Sequence, residues 1–104
     1  MNEWVRAYAW TSEGLRLFPA SSSIHTERGR ELRNLGKYSE AVVEIDEALK
    51  LAPENTKAQA EQAILLYYTA DIAIAKQALE AIRAKITDSS IRIELDEYIA
   101  LTKL

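Results

Sequence analysis

The side chains best able to do covalent or acid–base chemistry are thinly spread in this sequence. There is one histidine, His25, and no cysteine. A lone imidazole with no thiolate beside it cannot complete a tetrahedral zinc site, and disulfides and thiolate nucleophiles are ruled out with it. Ser21, Ser22 and Ser23 stand just before His25, which raises the question of a nucleophile and its base. A serine run ahead of a helix is better suited to linking and capping, because its side-chain oxygens accept from the open N–H groups of the first turn. Carboxylates are abundant, but Glu40, Glu44 and Glu47 recur at helical steps of four and three. That spacing assigns them to one solvated face, where no burial would shift their pKa values. No phosphate-cradling loop, dinucleotide fingerprint or hydrolase motif occurs. The sequence therefore predicts no enzyme, no metal and no cofactor.

The elements that must position these residues follow from composition. At 104 residues the chain is one domain's worth, long enough for a modest core. Apolar residues make up 48% and charged residues 28%, too apolar a balance for disorder. Three glycines and two prolines leave helix as the expected structure. A net charge of −3 argues against a general nucleic-acid binder, which needs an excess of Lys and Arg to displace counterions. No run approaches the roughly 18–20 apolar residues of a membrane helix, so no membrane partner is expected. Met1-Asn2-Glu3-Trp4 lacks the basic flank and apolar stretch of a secretion signal, and the absence of cysteine fits a cytoplasmic protein.

Position by position, the chain repeats itself. Pro19 and Pro53 lie 34 residues apart, and Ala7, Ala41 and Ala75 form a series with the same period. Trp4, Tyr38 and Ile72 form another, as do Thr11, Ile45 and Leu79. Large, small and turn-forming positions thus recur in one register.

On these residues the sequence resembles the tetratricopeptide repeat family, whose unit is a pair of antiparallel helices. The best unit is 22–55: a small residue at its eighth place (Gly29), glycine at the interhelix turn (Gly36), an aromatic after it (Tyr38), two spaced alanines (Ala41 and Ala48) and a closing proline (Pro53). It departs from the family at its fourth and seventh places, where His25 and Arg28 replace large apolar side chains. Residues 56–89 read as a degenerate unit that keeps Ala63 and Ala75 but carries Gln59, Gln62 and Thr87 at family positions. Residues 3–19 match the second half of a unit, and 89–104 a terminal capping helix. The resemblance implies an all-α, right-handed superhelix of stacked helix hairpins forming a single domain over 1–104.

The residues themselves agree. Tyr38, Ala41, Val42, Ile45, Ala48 and Leu49 paint one helical face, and Ile72, Ala75, Leu79, Ile82 and Ile86 repeat the pattern. Six helices are expected, over 3–18, 23–35, 38–51, 56–69, 72–86 and 90–103, with Asp71 as one N-cap. Small side chains set the hairpin crossings: Gly29 against Ala41, and Ala63 against Ala75, so that each pair of helices approaches closely. Ile91, Leu95, Tyr98 and Ile99 share a face suited to covering the 72–86 helix.

The resemblance also implies where a partner lies, because the first helix of each hairpin lines a concave groove. Carried over, that groove holds Thr26, Arg30, Arg33 and Asn34, then Lys57, Ala60, Ile64, Tyr67 and Tyr68. Cations beside aromatics suit an extended peptide with acidic or aromatic side chains. The alternative is that these residues only solvate and pack. The lysine and asparagine with which some family members grip chaperone C-termini are missing, since Thr26, Arg30 and Glu61 stand at those places. Trp4 is expected in the core, at the place of Tyr38, whereas Trp10 falls on another side of its helix and could leave an apolar edge bare. Two further readings stay open: a homo-oligomer formed through the end helices, or a regulatory domain from a larger enzyme.

Overall fold

A computed structural model describes residues 3–104, the side chain of Trp4 excepted. The core role expected for Trp4 therefore lies outside the described residues. Among them are six helices and no strand: α1 Glu3–Leu17, α2 Ser22–Asn34, α3 Tyr38–Leu51, α4 Thr56–Thr69, α5 Ile72–Arg83 and α6 Ser89–Leu101. The largest difference from expectation is at α5, which stops at Arg83 and not at residue 86. Beyond it the chain tightens, with the Lys85 N–H donating to the Ile82 carbonyl at 3.0 Å. That turn keeps Ile86 in the core, 4% exposed.

Local chemistry explains most boundaries. Ser21 Oγ accepts from the Ile24 N–H at 3.2 Å, which starts α2. Asn55 Oδ1 does the same for the Ala58 N–H at 3.1 Å, and Asp88 Oδ1 for the Ser90 N–H at 2.9 Å. Asp71 occupies the expected N-cap place of α5 in an extended conformation, but its side chain makes no capping hydrogen bond there. Gly36 has φ of +78°, the left-handed residue that ends α2, and the following Lys37 N–H returns to the Leu32 carbonyl at 2.9 Å.

The helices form two rows. α2, α4 and α6 touch in series, whereas α1, α3 and α5 contact only the even-numbered helices. Close approach within the α2–α3 hairpin depends on Gly29. A methyl group there would stand 2.6 Å from Ile45 Cδ1 and 3.3 Å from the Ala41 carbonyl oxygen. Ala41, Ala48 and Ala75 are wholly buried, so small residues line both hairpin crossings. Leu65 joins Leu32 and Ile45 in one cluster, while Ile64, Leu79, Ile82, Leu95 and Ile99 build a second. Each such side chain contributes about 1.5–3 kcal/mol by leaving water.

The α1–α2–α3 end is held by polar groups where the repeat pattern calls for apolar ones. His25 Nδ1 lies 2.7 Å from Glu44 Oε2, and its Nε2 lies 2.9 Å from the Pro19 carbonyl oxygen. Arg28 reaches Ser12 Oγ at 2.9 Å and Tyr8 Oη, with its guanidinium 4.3 Å from the Tyr8 ring centre. Glu44 is thus a correction. Of the three carboxylates expected in water only Glu40 is exposed; Glu44 and Glu47 are half-buried, and Glu44 bridges His25 and Arg28.

Candidate functional site

The inner row presents its open surface between α2, α4 and α6. A shallow cavity of about 160 Å³ there is lined by Arg30 of α2, Lys57 of α4, and Asp88, Ser90, Ile91 and Glu94 at the start of α6. That volume lies below the roughly 300–1,000 Å³ of small-molecule pockets, and suits one or two side chains of a longer ligand. Its charges alternate. Arg30 Nη2 stands 3.8 Å from Glu94 Oε2, and Lys57 Nζ stands 3.7 Å from Glu27 Oε1. Both separations are long for charge-assisted hydrogen bonds, which are nearer 2.7–2.9 Å. The Arg30 Nε is buried with no hydrogen-bond partner among the described residues.

Of the residues expected to line this groove, Arg30, Asn34, Lys57, Tyr67 and Tyr68 keep exposed or half-buried surface. Four others are interior, which corrects the expectation for them. Ile64 has no exposed surface and belongs to the core. Thr26 is 3% exposed; its hydroxyl donates to the Ser22 carbonyl and accepts from Asn55 Nδ2. Ala60, also expected there, is 3% exposed.

Arg33 is the fourth, and the most informative. Its Nε and Nη2 donate to Glu61 Oε2 and Oε1 at 2.8 and 3.0 Å, a bidentate pair with both side chains under a tenth exposed. Its Nη1 donates to Tyr98 Oη at 3.0 Å, and Glu94 lies 3.6 Å away. Burial by itself would depress the Arg33 pKa. The hydrogen bond and charge of Glu61, with Tyr98 and Glu94 behind them, raise it above its ordinary value instead. Arg33 is therefore occupied in fastening α2 to α4 and α6, and keeps only 6% of its surface exposed.

Four tyrosines continue the surface beyond Arg33. Tyr38 and Tyr68 stack with ring centres 4.3 Å apart, and Tyr67 meets both Tyr68 and Tyr98 edge-on. The Tyr68 and Tyr98 hydroxyls are 2.7 Å apart. Burial first, then this hydrogen bond, raises the Tyr98 pKa despite the nearby Arg33 cation. Lys57 and Tyr67 are ten residues apart on one helix, about 15 Å along its axis. The tyrosines thus form the far end of the groove, away from the Arg30–Lys57 cavity.

Sequence reasoning missed Asp88, Ser90, Ile91 and Glu94 as groove residues. Glu94 sits one turn before Tyr98 on α6, so a reading that gave α6 a lining face as well as a covering one would have found both. It also missed an open furrow of about 310 Å³ between α4 and α5, lined by Gln59, Gln62, Leu66, Ala78, Ala81 and Lys85. Among the described residues no group of three or more His, Cys, Asp or Glu is placed to hold a metal ion, and no helix is long and apolar enough to cross a membrane.

Comparison with known proteins bears on the architecture. The family model of the tetratricopeptide repeat matches residues 22–55. Among solved structures, the TPR2B domain of yeast Sti1, in its complex with pHsp70, superposes with a TM-score of 0.76 at 21% identity. The superposition covers 97% of this chain and 83% of that one. No curated protein matches the sequence. Residues 22–55 are thus a tetratricopeptide repeat, and the chain carrying them has the all-α fold of a tetratricopeptide-repeat domain.

Proposed function

We propose that this chain is a non-catalytic protein-interaction module that holds an extended peptide in the groove between α2, α4 and α6. The observation that carries the reading is the Arg30–Lys57 cavity. Two cations from different helices border one opening, each loosely paired, and one of them keeps a donor unsatisfied. An acidic ligand side chain there would exchange with Glu94 or Glu27 for better-formed hydrogen bonds. Ile91, half-buried at the same opening, offers apolar contact to the rest of that side chain. Tyr67 and Tyr68 extend the track towards a second, aromatic or apolar, ligand residue. On this reading 56–89 is a degenerate second unit, and the similar Sti1 domain, which forms a complex with pHsp70, supports a protein as the ligand class.

The test is capture of a partner from cell extract by the purified chain, compared with Arg30→Glu combined with Lys57→Glu. Both side chains are partly exposed, so helicity should be unchanged while capture falls at least about tenfold, with the residual binding insensitive to salt. Capture at wild-type strength by the reversed variant would remove this groove from consideration.

A further inference from the structure

Outside the groove, the most exposed large apolar side chain of the helical core belongs to the outer row. Trp10 of α1 is 79% exposed, with Leu17 at 56% one helical stripe further on. Glu3, Arg6, Trp10, Glu13 and Leu17 recur at steps of three and four, so they lie along one face of α1. All five are exposed, as are Ala9 and Arg16 beside them. Arg6, Ala9, Trp10 and Glu13 line an open depression of about 300 Å³.

The order of charges along this face is self-complementary. Reading from the N-terminus it runs acid, base, small residue and tryptophan, acid, base: Glu3, Arg6, Ala9 with Trp10, Glu13, Arg16. A two-fold axis crossing α1 between residues 9 and 10 brings a second α1 alongside, antiparallel to the first. That one operation places Arg6 opposite Glu13 of the second copy, Glu3 opposite its Arg16, and Trp10 over its Ala9. Every charge meets its opposite, and the largest side chain meets the smallest. Glu13 already holds Arg16 in its own helix at 2.6 Å, and that contact keeps the Glu13 carboxyl below its ordinary pKa. Glu3 and Arg6 have no ion-pair partner among the described residues.

We infer that the outer face of α1 is a homodimer interface in which two copies pair antiparallel about this axis, with Trp10 at its centre. The contact is isologous, so assembly closes at two. A single pair of four-turn helices buries less than the roughly 1,200 Å² of a standard interface, so the contact belongs with the weak, reversible ones. Because α1 belongs to the outer row, pairing leaves the α2–α4–α6 groove of each copy open. The inference stands or falls independently of what the groove binds.

Sedimentation velocity on the purified chain, from micromolar to millimolar concentration, tests it. The expected result is a reversible monomer–dimer equilibrium that weakens as salt rises and never passes two copies. Trp10→Ala should weaken it at least about tenfold with helicity unchanged, since Trp10 is in water in the monomer. Arg6→Glu alone and Glu13→Arg alone should each stay monomeric, because each sets like charges opposite one another twice. Mixed together, these two variants should form a heterodimer, since both cross-pairs then become acid against base. Dimerisation of wild type together with its loss in each single variant is specific to the antiparallel register, because parallel pairing would already set Arg6 against Arg6 and Glu13 against Glu13 in wild type. A chain that is monomeric at millimolar concentration, growth beyond two copies, a Trp10→Ala dimer of full strength, or a mixture that fails to associate would each overturn the assignment.

Discussion

Arg33 and Glu61 are chemically a surface pair and physically an interior one, and that changes what their replacement should do. Taking either partner away leaves an uncompensated charge in the space between α2, α4 and α6, at a cost of about 3–5 kcal/mol. Replacing both with apolar groups of similar volume removes the desolvation penalty along with the attraction. Glu61→Ala should therefore melt far below wild type in thermal unfolding, while Arg33→Met with Glu61→Leu should come close to it. A double variant as unstable as the single one would mean that Tyr98 and Glu94 still demand a cation. Spacing in the sequence could not reveal this, because Arg30 and Arg33 look equivalent until Glu61, 28 positions on, turns one of them inward. Glu31 offers a pH-dependent counterpart. It is 5% exposed and accepts from Thr11 Oγ1 at 2.7 Å, yet burial outweighs that bond and raises its pKa above the ordinary 4.5. The folded state therefore holds this proton more tightly than the unfolded state, so stability falls as pH rises from about 4.5 through the raised value. Glu31→Gln keeps an acceptor for Thr11 and removes the charge. Its Tm should exceed wild type at pH 7, with the gap closing towards pH 4.

At the scale of helices, the close approach of α2 and α3 sets a sharper limit than helix propensity. Alanine is intrinsically better than glycine in a helix by about 1 kcal/mol. At position 29, however, the added methyl would overlap Ile45, which is 1% exposed and has nowhere to move. Overpacking of this kind costs about 1–3 kcal/mol, so Gly29→Ala should destabilise on balance. Ile45→Ala removes both atoms that would be struck, Cδ1 and Cγ1, and the double variant should lose less than the two single losses together. Strict additivity in denaturant unfolding would place Gly29 away from Ile45. The approach of Gly29 to Ala41 was readable in advance, because recurring small residues at a fixed period imply facing helices. So were all six helices, since apolar spacing and turn residues are local signals. What was not readable was the packing of the α1 end. His25 and Arg28 each contradict the apolar repeat pattern singly, and make sense only with Glu44 of α3 and with Tyr8 and Ser12 of α1, as one bridge across three helices. The lining role of α6 was equally hidden, since it depends on which side of the inner row Glu94 and Tyr98 present.

The molecule as a whole separates its two proposed contacts by row: the groove belongs to α2, α4 and α6, the paired face to α1. If both are right, two copies carry two open grooves on one assembly, and binding becomes bivalent without any new contact at the groove. A second groove engaging a ligand array already tethered by the first does so at an effective concentration near millimolar for short flexible spacing. The chain should then bind a surface densely coated with its partner at least about tenfold more tightly than it binds the same partner free in solution. Trp10→Ala should abolish that enhancement by separating the copies, and leave the free-solution affinity unchanged. Arg30→Glu with Lys57→Glu should do the converse, removing binding to both forms while the monomer–dimer equilibrium persists. Surface plasmon resonance at high and low coating density, set beside calorimetry in solution, reads both quantities. Equal enhancement in wild type and Trp10→Ala would show that the α1 face and the groove do not cooperate in this way.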